Sequence, residues 1–404
     1  MPRLVEINTA CNTGSTGHIA EAIGLLAQKA GWDVLYVHSG RYVCPSQLPT
    51  LQVQSRWMEY AHYFLSLCTG HHGWFSTFAT RRLIKKLRRF NPDIVHLHNI
   101  HGYYINYKIL FEYLKENNIA VVWTWHDCWP ITGHCAYYGT ETGVCEKWVS
   151  QCGKCTKLKD YPRSLADSSA VDYQTKKRIF RSLDRLTIVP VSYWMEQNVK
   201  RSFLSDKPTC VIRNGIDLNV FYPHPNRETL RRKWDIEQDK YVLLGVASQW
   251  NERKGYADIL SLASIAGCQL VLVGLTHAQK LSLPAGIIGI EHTENAEQLA
   301  ELYSLANVFV NPTYSDTFPT TNLEALACGT PVLTYRTDGS PETINEQVGV
   351  VVERGDKQAL QEAIYRLQAS PLERDACAEF ARARYDKDTC FKAYIELYNR
   401  ILDI

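Results

Sequence analysis

Short, nearly unbroken apolar runs alternate with helical stretches along this chain, and they fall into two series. The first series has runs beginning at Arg3, Trp32, Asp93, Ala120, Leu186 and Cys210; the second has runs beginning at Tyr241, Gln269, Val308, Pro331 and Val348. Strands covered on both faces read this way, so the pattern predicts parallel sheets sandwiched by helices. One open sheet holding every run would be unusually wide. The 404 residues also exceed the ~250–300 at which a single core stops growing. An α/β chain of two facing, doubly wound domains is therefore expected, with ligands at the carboxyl ends of the strands and a cleft between the domains. The join falls in the turn-rich Asn214–Pro225 segment, which gives an N-terminal domain over 1–216 and a second over 217–385. A last helix over 386–404 carries Phe391, Tyr394, Ile395, Tyr398 and Ile401 at helical spacing, and that stripe is expected to pack back on the N-terminal domain.

Charge and cysteine usage narrow the function classes. Forty-four Lys and Arg balance 42 Asp and Glu to a net +2, so no global field draws the chain to nucleic acid, and no nucleic-acid partner is expected. The amino terminus has Glu6 inside its first apolar run and lacks the order of a signal peptide. The uncharged window Ile259–Gln279 is broken by Gly267-Cys268 and reads as core, not as a membrane span. The expected location is cytoplasmic, where thiols stay reduced, and an odd count of 13 Cys argues against a paired disulfide framework.

The run Ser315–Glu342 carries the strongest chemical signal. It follows the Val308 strand and opens a helix near Thr320 and Thr321, whose free N–H groups and dipole suit a diphosphate. Glu324 lies eight residues after Asp316, on the first turns of that helix, where a carboxylate can accept two vicinal ribose hydroxyls. A helix merely capped by acids would look the same. Lys254-Gly255 follows the Tyr241 strand, and Arg253 adjoins it. Gly14-Ser15-Thr16-Gly17 joins the first strand to a helix, and Gly17 permits close backbone approach to a phosphate or sugar. His126-Asp127 ends the Ala120 strand, and His98, Asn99 and His101 end its neighbour.

These residues resemble, in order, the landmarks of family 4 glycosyltransferases, retaining nucleotide-sugar enzymes of two-Rossmann (GT-B) fold. Ser315–Val332 answers the family's Glu-x7-Glu region almost position for position, with Asp316 in place of its first Glu; Gln249 stands where the family usually has Arg. The resemblance spans nearly the whole chain, least in 40–90 and 128–180. It implies a UDP- or GDP-linked sugar donor and no catalytic metal. Lys254, with Arg253, would hold the leaving diphosphate; Gly17, Thr320, Thr321 and Asn322 would line the donor; and Glu324 would take the ribose. Asp316 and His126 would position the sugar, and His98, Asn99 and His101 would line the acceptor side.

Two segments lie outside that pattern. Cys135-x9-Cys145-x6-Cys152-x2-Cys155 has the density of a structural zinc knuckle, with Cys128 and His134 in reserve; free thiols or a redox pair are the alternative. The insertion is placed at 128–160. Between Arg56 and Phe90 an aromatic stretch with Trp74 and Phe75 precedes Arg81, Arg82, Lys85, Lys86, Arg88 and Arg89. A basic amphipathic helix of this kind reads as contact with an anionic membrane surface, or as a plain solvated face. The resulting expectation is a glycosyltransferase that moves a sugar onto a growing, lipid-linked or oligosaccharide acceptor of a bacterial surface glycan (capsule, exopolysaccharide or O-antigen), peripheral to the inner face of the plasma membrane. The rivals are a sugar-nucleotide epimerase or phosphorylase on this fold, and a zinc-stabilised interaction protein on a degenerate scaffold.

Overall fold

The computed structural model describes residues 1–141 and 143–403. It divides into two compact units. One holds 1–138, 145–213 and 391–404; the other holds 139–144 and 214–390.

In the first unit, β1 (Arg3–Cys11), β2 (Asp33–Val43), β3 (Thr50–Gln52), β4 (Ile94–Leu97) and β5 (Ala120–Trp125) form a sheet with β8 (Leu186–Pro190), in the order β3-β2-β1-β4-β5-β8. Every pairing is parallel. All residues of β4 and β5 are buried, because helices cover both faces. A short antiparallel hairpin, β6 (Gly139–Thr140) and β7 (Gly143–Val144), belongs to the other unit.

The second unit repeats the plan with β9 (Tyr241–Val246), β10 (Cys268–Val273), β11 (Ile288–Ile290), β12 (Val308–Asn311), β13 (Val332–Tyr335) and β14 (Gly349–Val352), ordered β11-β10-β9-β12-β13-β14 and again parallel throughout. In both sheets the first strand of the series lies inside, so the strand order reverses beside it. Open α/β sheets bind their ligands at such a reversal of strand order, the switch point of the sheet.

The run at Cys210 is a correction: it is not a strand. Cys210 and Ile212 donate N–H bonds to the carbonyls of Ile188 and Pro190, yet only a single bridge, Ile188 to Thr209, forms. Residues 391–404 group with the first unit, where the Tyr394 hydroxyl meets Thr124 Oγ1 at 3.0 Å and Tyr398 meets His96 Nδ1 at 2.6 Å. Among the described residues no helix is long and apolar enough to cross a membrane.

Candidate functional site

In the second unit, a tight turn after β9 presents Lys254. Asn251 caps it, its Oδ1 accepting from the Lys254 N–H at 3.1 Å. Gly255 follows with φ +70°, and a Cβ there would lie 2.1 Å from the Pro312 carbonyl oxygen, so only glycine lets this turn sit against the end of β12. The Lys254 ammonium reaches Asp316 Oδ2 at 2.7 Å. Burial holds the Lys254 pKa below its ordinary value, against the pull of Asp316. Arg253 turns the other way, its Nη1 donating to the Ser315 carbonyl at 2.7 Å, so it braces the loop that carries Asp316.

That loop runs directly into the Thr320–Ala327 helix. Pro319 is the N-cap, and no side chain caps the first turn. Glu324, one turn in, accepts a bond from the Tyr303 hydroxyl at 3.0 Å. Burial pushes the Glu324 carboxyl up to about 7, against the hydrogen bonds of Tyr303 and Thr320. Asn322 points away from this group. Its amide is buried, accepting from Asn311 and donating to Thr343, both at 2.8 Å, so its side chain ties the helix to the core.

Asp338, which sequence reasoning missed, joins the cluster. It sits at φ +44° in the Thr337–Gly339 turn and takes a short hydrogen bond from Ser315 Oγ. Burial and then the neighbouring Asp316 push its pKa up to about 7, although Ser315 opposes the shift. The Asp-Gly pair that marks a turn was its one sequence signal.

In the first unit, the ends of β4 and β5 bring His98, Asn99, His101, His126 and Asp127 to one pocket. His101 Nε2 lies 2.7 Å from Asp127 Oδ2, and its Nδ1 lies 2.9 Å from the Tyr161 hydroxyl. Burial alone would raise the Asp127 pKa, but His101 and the Trp129 N–H hold it below its ordinary value. His98 turns inward, its Nδ1 3.0 Å from His126 Nε2. Gly17 packs its helix on the end of β1, where a Cβ would lie 3.2 Å from that of Ala10; helix packing is thus the visible reason for a glycine there.

Cys135, Cys145, Cys152 and Cys155 line a common cavity with His134. Burial and then the other three thiols push the Cys135 thiol up. Both ring nitrogens of the buried His134 lack a hydrogen-bond partner. Lys176, also buried, donates to the Trp129 and Thr132 carbonyls at 2.8 and 3.0 Å. The donor types suit zinc. The sulfurs are less drawn together than in a formed site, however: among the described residues only Glu6, His96 and His98 bring three ligand atoms within 4.8 Å of one another.

Two doubly wound sheets, each with polar groups gathered at its strand ends, are the framework of a GT-B transferase. The family description "Glycosyltransferase Family 4" matches residues 14–220, and "Glycosyl transferases group 1" matches 226–384. The chain belongs to glycosyltransferase family 4 and is a transferase enzyme. It is 25% identical over 331 residues to WcaC of Escherichia coli (strain K12), named for glycosyl transfer in colanic acid biosynthesis, with 78% of each chain covered. Sucrose-phosphate synthase from Thermosynechococcus elongatus superposes with a TM-score of 0.74 at 18% identity, covering 100% of both chains. Anabaena HepE, solved with UDP-glucose, gives 0.67 at 14% identity over 98% of this chain and 99% of its own.

Proposed function

We propose that this protein is a retaining glycosyltransferase that moves a sugar from a nucleotide donor onto a lipid-linked intermediate of a bacterial surface glycan. The observation that carries the donor half is Lys254 held 2.7 Å from Asp316, beside an uncapped helix N-terminus with Glu324 one turn inside. In this reading the diphosphate takes over Lys254 and the first-turn N–H groups, where negative charge grows as the glycosidic bond breaks. Asp316, released from the ammonium, turns to the sugar. Glu324 accepts the ribose hydroxyls. The acceptor hydroxyl attacks on the face the diphosphate leaves, and a departing phosphate oxygen takes its proton. The resemblance assigns His126 to the donor sugar. The likeness to WcaC supports a surface-polysaccharide acceptor, and the UDP-glucose bound by HepE supports a uridine nucleotide over a guanosine one.

The test is a panel of UDP- and GDP-sugars read by thermal shift and by donor hydrolysis, with Lys254→Ala alongside. The proposal expects one base to stabilise the protein, and it expects turnover to fall by orders of magnitude in a variant that melts near the wild-type temperature. Net transfer to an added acceptor separates transfer from epimerisation.

A structural zinc ion is proposed for the Cys135, Cys145, Cys152 and Cys155 loop, supported by the shared cavity, the orphaned His134 ring and the buried cation beside the thiols. Coordination would deprotonate the thiols and hold together a loop whose hairpin β6–β7 belongs to the other unit.

A further inference from the structure

Glu6 is a fully buried acid for which the donor chemistry has no use. It stands in the middle of β1, directly opposite His96 of β4, with His98 two residues further along the same face. Neither carboxyl oxygen has a hydrogen-bond partner, and His98 Nε2 has none. An orphaned buried acid beside an orphaned imidazole nitrogen is costly enough to call for a function.

His96 is already committed, with Nδ1 on the Tyr398 hydroxyl at 2.6 Å and Nε2 on Thr124 Oγ1 at 2.8 Å. The carboxyl is therefore left with His98, whose Nε2 lies 3.9 Å from Glu6 Oε2. A side-chain shift of about 1 Å brings that pair into hydrogen-bond range. From His98 the line continues outward: its Nδ1 lies 3.0 Å from His126 Nε2, and the two rings are nearly parallel at 12°.

We propose that Glu6 is a positioning residue that acts through His98 to fix the proton of His126 on Nδ1, so that His126 offers a donor at that nitrogen. The inference rests on the reading of His126 as a sugar contact. The proton count is simple. A protonated carboxyl donates to His98 Nε2; His98 then carries its proton on Nδ1 and donates to His126 Nε2; the remaining proton of His126 sits on Nδ1. Loss of one proton from the carboxyl reverses the line, putting the imidazole protons on Nε2 of both rings. Burial, and then Glu21, raises Glu6 well above its usual range, while burial lowers His98 and takes His126 to about 4, which favours the first arrangement. The other titratable groups facing Glu6 are His96, Tyr36 of β2 and Tyr398 of the last helix.

The experiment is a long-range proton–nitrogen spectrum of the full chain labelled with 15N-histidine, His126 being assigned by its loss in His126→Gln. The expected wild-type spectrum has Nδ1 protonated and Nε2 bare at pH 7. Glu6→Gln, whose amide also donates, should keep that pattern and near-normal turnover. Glu6→Leu, which cannot donate, should scramble it and lower kcat by roughly tenfold or more with little change in donor KM, as losses of supporting hydrogen-bond partners commonly do. A wild-type His126 protonated on Nε2 overturns the proposal even if neither Glu6 variant folds, as does a folded Glu6→Leu with the wild-type tautomer. A correct tautomer together with unimpaired turnover in His126→Gln would instead overturn the sugar-contact reading and leave the relay standing.

Discussion

Glu324 and Asp338 hold carboxyl groups near neutrality for the same reason: both are withdrawn from water, and Asp338 also faces Asp316. Because folding raises the Glu324 pKa from 4.5 to about 7, stability is lost as pH rises through that window and the buried acid must ionise. Glu324→Gln should therefore raise the unfolding midpoint of the free protein at pH 8 while leaving it little changed at pH 5. The same substitution should weaken free nucleotide binding by roughly 1.5–3 kcal/mol, the worth of a hydrogen bond to a charged group. A stabilised variant with undiminished affinity would remove Glu324 from the ribose. Wild-type affinity should also fall as pH drops from 8 to 6, with proton release on binding in calorimetry. Glu324→Gln should flatten most of that slope, the remainder belonging to Asp338. A wild-type affinity flat over this range would mean that no carboxyl of the cluster ionises on binding.

At the scale of elements, the strands were legible because a parallel sheet buried on both faces leaves a continuous apolar signature, as in Ile94–Leu97 and Val332–Tyr335. The three-residue edge strands at Thr50 and Ile288 were not legible, being too short to show a period and half open to water. Motif spacing located Lys254 and Glu324, but it could not tell that the Asn322 amide faces the core or that His98 turns toward His126, since side-chain direction depends on partners distant in sequence. Purified protein should carry about one zinc per chain. Cys152→Ser with Cys155→Ser should lose the ion and lower the melting temperature, whereas elemental analysis that finds no metal in protein prepared without chelator would leave the thiols free.

For the molecule as a whole, a net charge of +2 gives almost no long-range attraction to an anionic surface, so any membrane contact must come from one face. The face proposed for it is that of the Thr77–Phe90 helix. Ala79, Thr80, Leu83, Ile84 and Leu87 are buried, and all six of its Arg and Lys side chains are exposed. The aromatic partners differ from those read in the sequence. Trp74 stacks on His71 and donates to the Tyr107 hydroxyl at 2.9 Å, and Phe75 packs edge-on against His62, so neither is offered to a bilayer. Trp57, Phe64 and Phe78 are exposed instead, at 83%, 61% and 82%. Each cation near anionic lipid contributes about 1 kcal/mol, so changing Arg81, Lys85 and Arg89 to Ser should weaken vesicle binding by some 3 kcal/mol before screening, roughly a hundredfold. Binding should also fall as salt rises, because exposed charges are screened beyond ~8–10 Å, while the part contributed by Trp57 and Phe78 should persist. Co-sedimentation with phosphatidylglycerol vesicles across a salt series reads both terms, and Trp57→Ser with Phe78→Ser should remove the salt-resistant one. If the wild-type chain fails to bind these vesicles at low salt, the helix is a solvated face, and the acceptor must reach the enzyme free of the bilayer.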